Sequence, residues 1–279
     1  MENLTFGIEI EYRDLLQSLV TEYINANYPI WYSKTEDAIT KTSTDPSLGG
    51  EISSPILTNT LNTREDIESI CAFLTTHHAS SLNTGAHIHI GANIFENNSR
   101  YFLRFLKLWT AYEHIIYRFS YGEYAYARDT LFVYAKPVSS EYKRLIKSLN
   151  LTYQDKFANL KFIFNLGKKR GLNLSNMGNP DKDTIEFRTP NGTLNPNIWY
   201  NNFNLFKSLI EYAKSENYNE DLINFRLSQT YDVLDNKIYF EQAMELGDLI
   251  FKTEREKLVF LRQYLKDFKE EKEYKLVRF

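Results

Sequence analysis

Three short segments alternate apolar with polar or small residues. Phe6-Gly7-Ile8-Glu9-Ile10-Glu11-Tyr12, Ala86-His87-Ile88-His89-Ile90-Gly91-Ala92 and Thr184-Ile185-Glu186-Phe187-Arg188-Thr189 each repeat with period two, the pattern of a half-buried β-strand. Turn chemistry in Asp45-Pro46-Ser47-Leu48-Gly49-Gly50 leads into a fourth, shorter strand over Glu51–Ser54, which Pro55 ends or confines to an edge. Helical spacing takes over elsewhere. A short helix over residues 15–27 stops before Pro29, and Asn62 with Glu65 reads as the cap of a helix carrying Ile67, Ile70, Cys71 and Leu74 on one stripe. Phe102, Phe105, Leu106, Trp109 and Ile116 mark a long amphipathic helix, and Asn195-Pro196 opens another with Trp199, Phe203, Phe206 and Ile210 inside. In the middle, Leu131–Ala135 and Leu172–Leu174 read as strands and Ser140–Leu149 as a helix. Thr253 and Glu256 form a capping box before a last helix whose buried side would carry Leu258, Leu261, Leu265 and Phe268.

This order predicts an α+β fold with a mostly antiparallel sheet and helices packed behind it. No internal repeat or low-complexity linker divides the 279 residues, so a single domain over 1–279 is expected, with a helical C-terminal region over 216–279. Aromatic residues reach 15%, carried by 20 Tyr and 19 Phe, so rings should fill core layers or pocket walls. A net charge of −3 gives no polyanion-binding surface, and nothing points to nucleic acid. The lone cysteine, Cys71, excludes an intramolecular disulfide and falls on a packing stripe. Early acids at Glu2, Glu9, Glu11 and Asp14 do not fit a signal peptide. Residues 69–95 lack Asp, Glu, Lys and Arg, yet polar side chains interrupt them too often for a membrane span. A soluble, cytoplasmic protein is expected. The charged run Lys269–Lys275 reads as a solvated helix end.

The chemistry lies in the strands. Glu9 and Glu11, His87 and His89, and Glu186 and Arg188 stand at i and i+2, so each pair points to one side of its sheet. The other side carries Ile8, Ile10, Ile88, Ile90, Ile185 and Phe187. If the strands share a sheet, their acids, imidazoles and arginine meet on its open face, with Glu51 as a further candidate. Gly7, Gly85 and Gly91 flank the pairs and suggest close approach. Carboxylates around one or two imidazoles, without a thiolate, suit a hard cation such as Mg²⁺ or Mn²⁺. Zinc on His-x-His plus a carboxylate is the alternative.

Four motifs occur in a telling order. They are Phe6-Gly7-Ile8-Glu9-Ile10-Glu11; Asp45-x-Ser47-Leu48 running into Gly50-Glu51-Ile52-Ser53-Ser54-Pro55-Ile56-Leu57; Gly85-Ala86-His87-Ile88-His89-Ile90; and Thr184-Ile185-Glu186-Phe187-Arg188 followed by Asn191-Gly192-Thr193-Leu194. Together, over residues 4–215, they resemble the putative amidoligase family, a branch of the carboxylate–amine ligase superfamily that includes glutamine synthetase and glutamate–cysteine ligase. The resemblance implies a curved sheet whose concave face holds ATP and two or three divalent ions. It also implies that ATP phosphorylates a substrate carboxylate and an amine then displaces phosphate, giving an amide or isopeptide bond. On this resemblance Glu9, Glu11 and Glu51 would be metal ligands, Glu9 and Glu11 serving different ions. His87 would complete the ATP-side site with Glu186, and His89 would contact nucleotide phosphate. Arg188 would hold a substrate carboxylate or the transferring phosphoryl, with Glu51 a second catalytic residue. The sequence departs from glutamine synthetase in lacking a matching second acid beside Glu51. The implied substrates are small-molecule or peptide carboxylates and amines, and relatives built on this sheet are often rings or dimers.

Other cations are weaker candidates for nucleotide phosphate: Arg170 and Lys168, with Lys169, before the Leu172–Leu174 segment, and Arg128 and Lys136 around the middle one. No Gly-rich phosphate loop is present. His77 and His78 fall at a helix end and His114 lies off its helix's apolar stripe, so a structural or surface role is expected for all three. Tyr121, Tyr124 and Tyr126 suit ring packing or a pocket wall equally. Besides the ligase, a zinc hydrolase on His87 and His89 and a catalytically silent binding module remain open readings.

Overall fold

The alternating segments are strands of one sheet. The structure, a computed structural model, describes residues 4–40, 45–235 and 237–268. Among these residues the sheet has seven strands: β1 (Thr5–Leu16), β2 (Tyr32–Lys34), β3 (Leu48–Ser53), β4 (Leu57–Thr58), β5 (Ala86–Gly91), β6 (Leu172–Asn173) and β7 (Thr184–Phe187). They run in the order β2-β3-β1-β5-β7-β6, with β4 pairing to the start of β1, and every strand pairing is antiparallel. Eleven α-helices accompany them among the described residues: α1 (Gln17–Asn27), α2 (Asp37–Thr40), α3 (Leu61–Thr76), α4 (Ser99–Ser120), α5 (Leu131–Tyr134), α6 (Ser139–Ser148), α7 (Phe157–Phe164), α8 (Pro196–Lys214), α9 (Glu220–Ser228), α10 (Phe240–Ile250) and α11 (Glu254–Leu265).

The period-two pattern sorts the two faces. Ile8, Ile10, Ile52, Ile88, Ile90, Ile185 and Phe187 are all buried. Rings from α4 and α8 close over them: Phe206 stacks on Phe187 at 4.2 Å, Phe203 meets Phe6 at 4.3 Å, and Trp109 approaches Phe187 at 5.6 Å. The aromatic richness of the chain is spent here, where large rings fill the gap between sheet and helices. The same apolar core continues to Phe260 and Tyr264 in α11. A buried carboxylate, Glu113 of α4, accepts from Val138 N at 2.9 Å, Ser139 N at 2.7 Å and Trp109 Nε1 at 3.0 Å. It thereby satisfies donors at the start of α6 that no residue of that helix can reach.

Several local expectations change. Leu131–Ala135 is a helical turn, not a strand: only Leu131 of α5 is buried, and Phe132 and Val133 face outward. A short apolar run cannot distinguish the two by periodicity. Helix α3 starts from Thr60, whose side chain accepts from Thr63 N at 3.3 Å, so Asn62 is inside the helix. Strand β3 begins earlier than Glu51, at Leu48. Helix α11 keeps its capping box and packs Leu261 and Leu265 against the core as expected, but its most buried residues are Phe260, Gln263 and Tyr264, and Leu258 is exposed. Polar contacts keep Gln263 inward: its Nε2 donates to Phe119 O and Asn202 Oδ1, both at 3.2 Å. His114 is buried and stacks on Tyr231 at 3.9 Å, a structural placement rather than a surface one. The run Lys269–Lys275 lies outside the described residues. No helix among the described residues is long and apolar enough to cross a membrane.

One close approach fixes the strand ends beneath the polar face. Gly192 N donates to Thr84 O at 2.7 Å, and a Cβ on Gly192 would stand 1.8 Å from Thr84 Oγ1 and 3.1 Å from Ser81 O. Thr84 cannot simply move away, because its hydroxyl bonds Glu11 O and Ser81 O. Gly7 is different: a Cβ there would meet nothing nearer than 3.5 Å, so that glycine is not required by packing. Gly192→Ala should therefore cost about 1–3 kcal/mol, while Gly7→Ala should leave stability nearly unchanged. Denaturant unfolding of the two variants checks this, and equal stability of Gly192→Ala and the parent would contradict it.

Candidate active site

Strand register brings the ionisable pairs side by side on the face away from α4 and α8, where residues of the short helices α2 and α5 border them. Glu9 stands opposite His87 and Glu11 opposite Glu51, while His89 stands opposite Glu186. His87 Nδ1 donates to Glu9 Oε2 at 2.7 Å, and His89 Nε2 lies 3.2 Å from Glu9 Oε1. His87 also lies 3.8 Å from both Glu11 and Glu186. Glu11 Oε2 accepts from Gly85 N at 2.6 Å. A Cβ on Gly85 would come within 3.1–3.2 Å of both Glu11 oxygens and His87 Nε2, so the missing side chain leaves room for them.

The charges are compensated unevenly. Burial works to raise the Glu9 carboxyl, but His87 and His89 overcome it and hold Glu9 far below the usual carboxylate range. Burial and the charge of Glu9 push Glu51 up, against the pull of Lys34 at 2.9 Å and of the Ser53 hydroxyl at 2.7 Å. Burial and Arg188 disfavour the imidazolium of His87, yet Glu9 and Glu11 outweigh them and raise its pKa. Glu186 is lowered: burial opposes this, but His87 and Arg188 prevail. Arg188 is ion-paired to Glu186 and donates from Nε to Tyr134 O at 3.0 Å. Asn173 Nδ2 holds the other Glu186 oxygen at 2.5 Å.

Two cavities flank this cluster, and Glu9 and Lys34 line both. The smaller, about 270 Å³, also touches Glu11, Glu51, His87, Arg128 and Arg188. The larger, about 570 Å³, is bounded by His89, Tyr32, Pro55, Ile56, Asp181 and Asp183. Within the cluster, two sets of side chains offer ligand atoms that all lie within 4.8 Å of one another: Glu9, Glu51 and His87, and Glu9, His89 and Glu186. Carboxylates with one imidazole each fit a hard or borderline divalent cation. His89 Nε2 supports the fit, being buried and without a hydrogen bond despite its nearness to Glu9.

This grouping differs from the one expected. Glu9 belongs to both sets and Glu11 to neither; His87 joins Glu51 and His89 joins Glu186. Arg170 and Lys168 line neither cavity. Arg170 instead pairs with Glu141 at 3.1 Å and donates to Pro137 O, and Lys168 is exposed, because the turn carrying them packs toward α6. Lys34 and Arg128 do reach the cluster's cavity. Lys34 sits in a strand of three residues, too short for any periodic signal, and was not singled out by sequence. Arg128 sits in a loop where sequence favours exposure, yet it is 4% exposed. Tyr121 is buried and Tyr126 exposed, and Tyr124 bonds Ser81; none of the three lines either cavity.

A family model described as a putative amidoligase enzyme matches residues 30–210, well over half of the chain, and the chain belongs to that family. Glu51, His87, His89, Glu186 and Arg188 fall within the match, whereas Glu9 and Glu11 precede it. No curated protein matches the chain.

Because Glu9 contributes to both sets, its loss should weaken cation binding more than loss of Glu11. Titration with Mn²⁺ should show at least about a tenfold fall in affinity for Glu9→Gln, the scale on which even outer-shell changes act, and a smaller change for Glu11→Gln. Undiminished binding by Glu9→Gln would contradict the assignment.

Proposed function

We propose that this chain, as a member of the putative amidoligase family, joins a carboxylate to an amine at the expense of ATP, with Mg²⁺ or Mn²⁺ held by Glu9, Glu51, His87, His89 and Glu186. The observation that carries this reading is the pair of ligand sets that share Glu9 between two cavities on one sheet face. A reaction that brings a triphosphate to a carboxylate must join two anions, and a shared cluster between two openings is suited to that task. The cations would supply charge neutralisation of the phosphates and of the transferring group.

In this reading the larger cavity receives the nucleotide. Tyr32, Pro55 and Ile56 offer an apolar edge for a base, and His89 lies where phosphates would meet the cluster. The smaller cavity receives the acid. Its carboxylate oxygen attacks the γ-phosphorus, the bond to the β-phosphate oxygen breaks, and ADP leaves with that electron pair. The amine nitrogen then attacks the carbonyl carbon of the acyl phosphate and releases inorganic phosphate, and the nitrogen gives up a proton. Arg188 and Lys34 border the smaller cavity and bring positive charge to the transferring phosphoryl. Glu51 lines the same cavity beside Lys34 and would act there as a cation ligand next to the transferring group. The division of the imidazoles between two sets favours this reading over a zinc hydrolase, which would need His87 and His89 on one ion.

ADP formation tests the proposal. With Mg²⁺ or Mn²⁺ and a panel of amino acids, dicarboxylates and peptides, ADP should appear only when cation and acid are both present. Glu51→Gln should lower the rate by about 10²-fold or more, a loss on the scale of one transition-state contact. Tightly held zinc, with amide hydrolysis and no nucleotide turnover, would overturn it.

A further inference from the structure

We propose that Lys34 is a resident counter-ion that competes with the divalent cation for Glu51, so that loading the Glu9–Glu51–His87 set releases its ammonium. This role rests on the cation assignment of the ligase reading, but on no step of the ligase reaction. Lys34 stands on the edge strand β2, directly opposite Glu51 of β3. Its Nζ lies 2.9 Å from Glu51 Oε1. The Ser53 hydroxyl donates to the same oxygen at 2.7 Å, so Glu51 keeps a partner that orients it when the lysine leaves.

The competition follows from the chemistry of the ammonium. Glu51 shares its ligand set with Glu9 and His87, and the donor atoms of the three all lie within 4.8 Å of one another. Glu9 finds its counter-charge inside that set, at His87 Nδ1 2.7 Å away, and an imidazole is itself a ligand type. Lys34 is different. A protonated amine has three donors and no lone pair, so it neutralises Glu51 but cannot join the set. A divalent cation and an ammonium on one carboxylate repel each other. Lys34 stays charged: burial works against its ammonium, but Glu51 and Glu9 outweigh that cost and raise its pKa.

Geometry allows the exchange. The Lys34 side chain is 40% exposed and borders the larger cavity as well as the smaller one. Its flexible four-carbon stem can therefore carry the ammonium off Glu51 without moving a strand. Arg188 has no such freedom, being 18% exposed and held by both Glu186 and Tyr134 O. Before a cation binds, Lys34 covers the charge of Glu51. Once a cation takes that carboxylate, the ammonium is free at the boundary of the two cavities. Lys34 is thus a positioning charge that sets how readily the cation loads, and not a ligand.

The test is Mn²⁺ affinity without nucleotide or acid, measured by calorimetric titration. Lys34→Met keeps the stem and removes the charge. It should bind Mn²⁺ about fivefold or more tightly than the parent, the scale of one half-exposed ion pair. Lys34→Arg, which keeps the charge, should stay close to the parent. Ser53→Ala should bind about tenfold more weakly, as an outer contact that orients a ligand does. A lysine that merely oriented Glu51 would give the opposite sign, and one that only supported β2 would not tighten binding. Unchanged or weaker binding by folded Lys34→Met overturns the proposal. A second measurement uses the parent protein alone. Acetylation of Lys34, followed by peptide mass, should run faster when Mn²⁺ is added, and labelling that Mn²⁺ slows or leaves unchanged overturns the proposal whether or not the variants fold. The ligase can fail separately. Tighter binding by Lys34→Met, without ADP formation under any condition, leaves the counter-ion standing and removes the ligase. ADP formation by the parent, with Mn²⁺ affinity unchanged in Lys34→Met, does the reverse.

Discussion

The structure depends on keeping four carboxylates, Glu9, Glu11, Glu51 and Glu186, on one largely buried sheet face. Strand alternation forces them there once the isoleucines go to the helices, and like charges set opposite each other across strands are destabilising. The protein answers with a distributed set of positive and dipolar partners. His87 touches Glu9 and approaches Glu11 and Glu186, Lys34 holds Glu51, Arg188 holds Glu186, and the Gly85 N–H holds Glu11. At 3.8 Å and an effective dielectric near 20 the gross attraction of opposite charges is about 4 kcal/mol, which offsets the cost of burying them and is lost if one partner is removed. Charge pairing therefore governs this face, and His87 is its centre.

The helices make that arrangement possible. Aromatic packing by α4 and α8 holds the apolar face of the sheet, so the register that opposes Glu9 to His87 cannot slip without exposing a row of isoleucines. At the strand ends, the contact of Gly192 with Thr84 ties β5's approach to the loop after β7. The same loop gives Arg128 its carbonyl partners. Cluster and cation are thus positioned by one stretch of backbone, residues 188–192.

Much of this was legible in the sequence because strands impose a period of two. Glu9 with Glu11, His87 with His89, and Glu186 with Arg188 share a face by arithmetic alone, and four ordered motifs pointed to the family. Register was not legible, since it depends on pairing between distant segments. That is why the grouping of Glu9 with both sets, of His87 with Glu51 and of His89 with Glu186 could not be read from spacing. Lys34 was hidden in a strand too short to show a pattern. Arg128 stood in the sequence only as one of several loop cations, and its burial, which sets it apart, is visible only in the structure. In α11 the apolar stripe was right for Leu261 and Leu265 but not for Leu258, and the burial of Gln263 through its bonds to Phe119 and Asn202 carried no sequence signal.

The central claim is that the imidazoles and carboxylates of this face converge on bound divalent cations. Electron paramagnetic resonance of the Mn²⁺-loaded protein, with histidine labelled in its ring nitrogens, reads that contact directly. The account predicts hyperfine coupling from imidazole nitrogen to manganese that vanishes when His87 and His89 are both replaced by alanine. A spectrum indistinguishable from aqueous Mn²⁺, or nitrogen coupling that survives the double replacement, would contradict it.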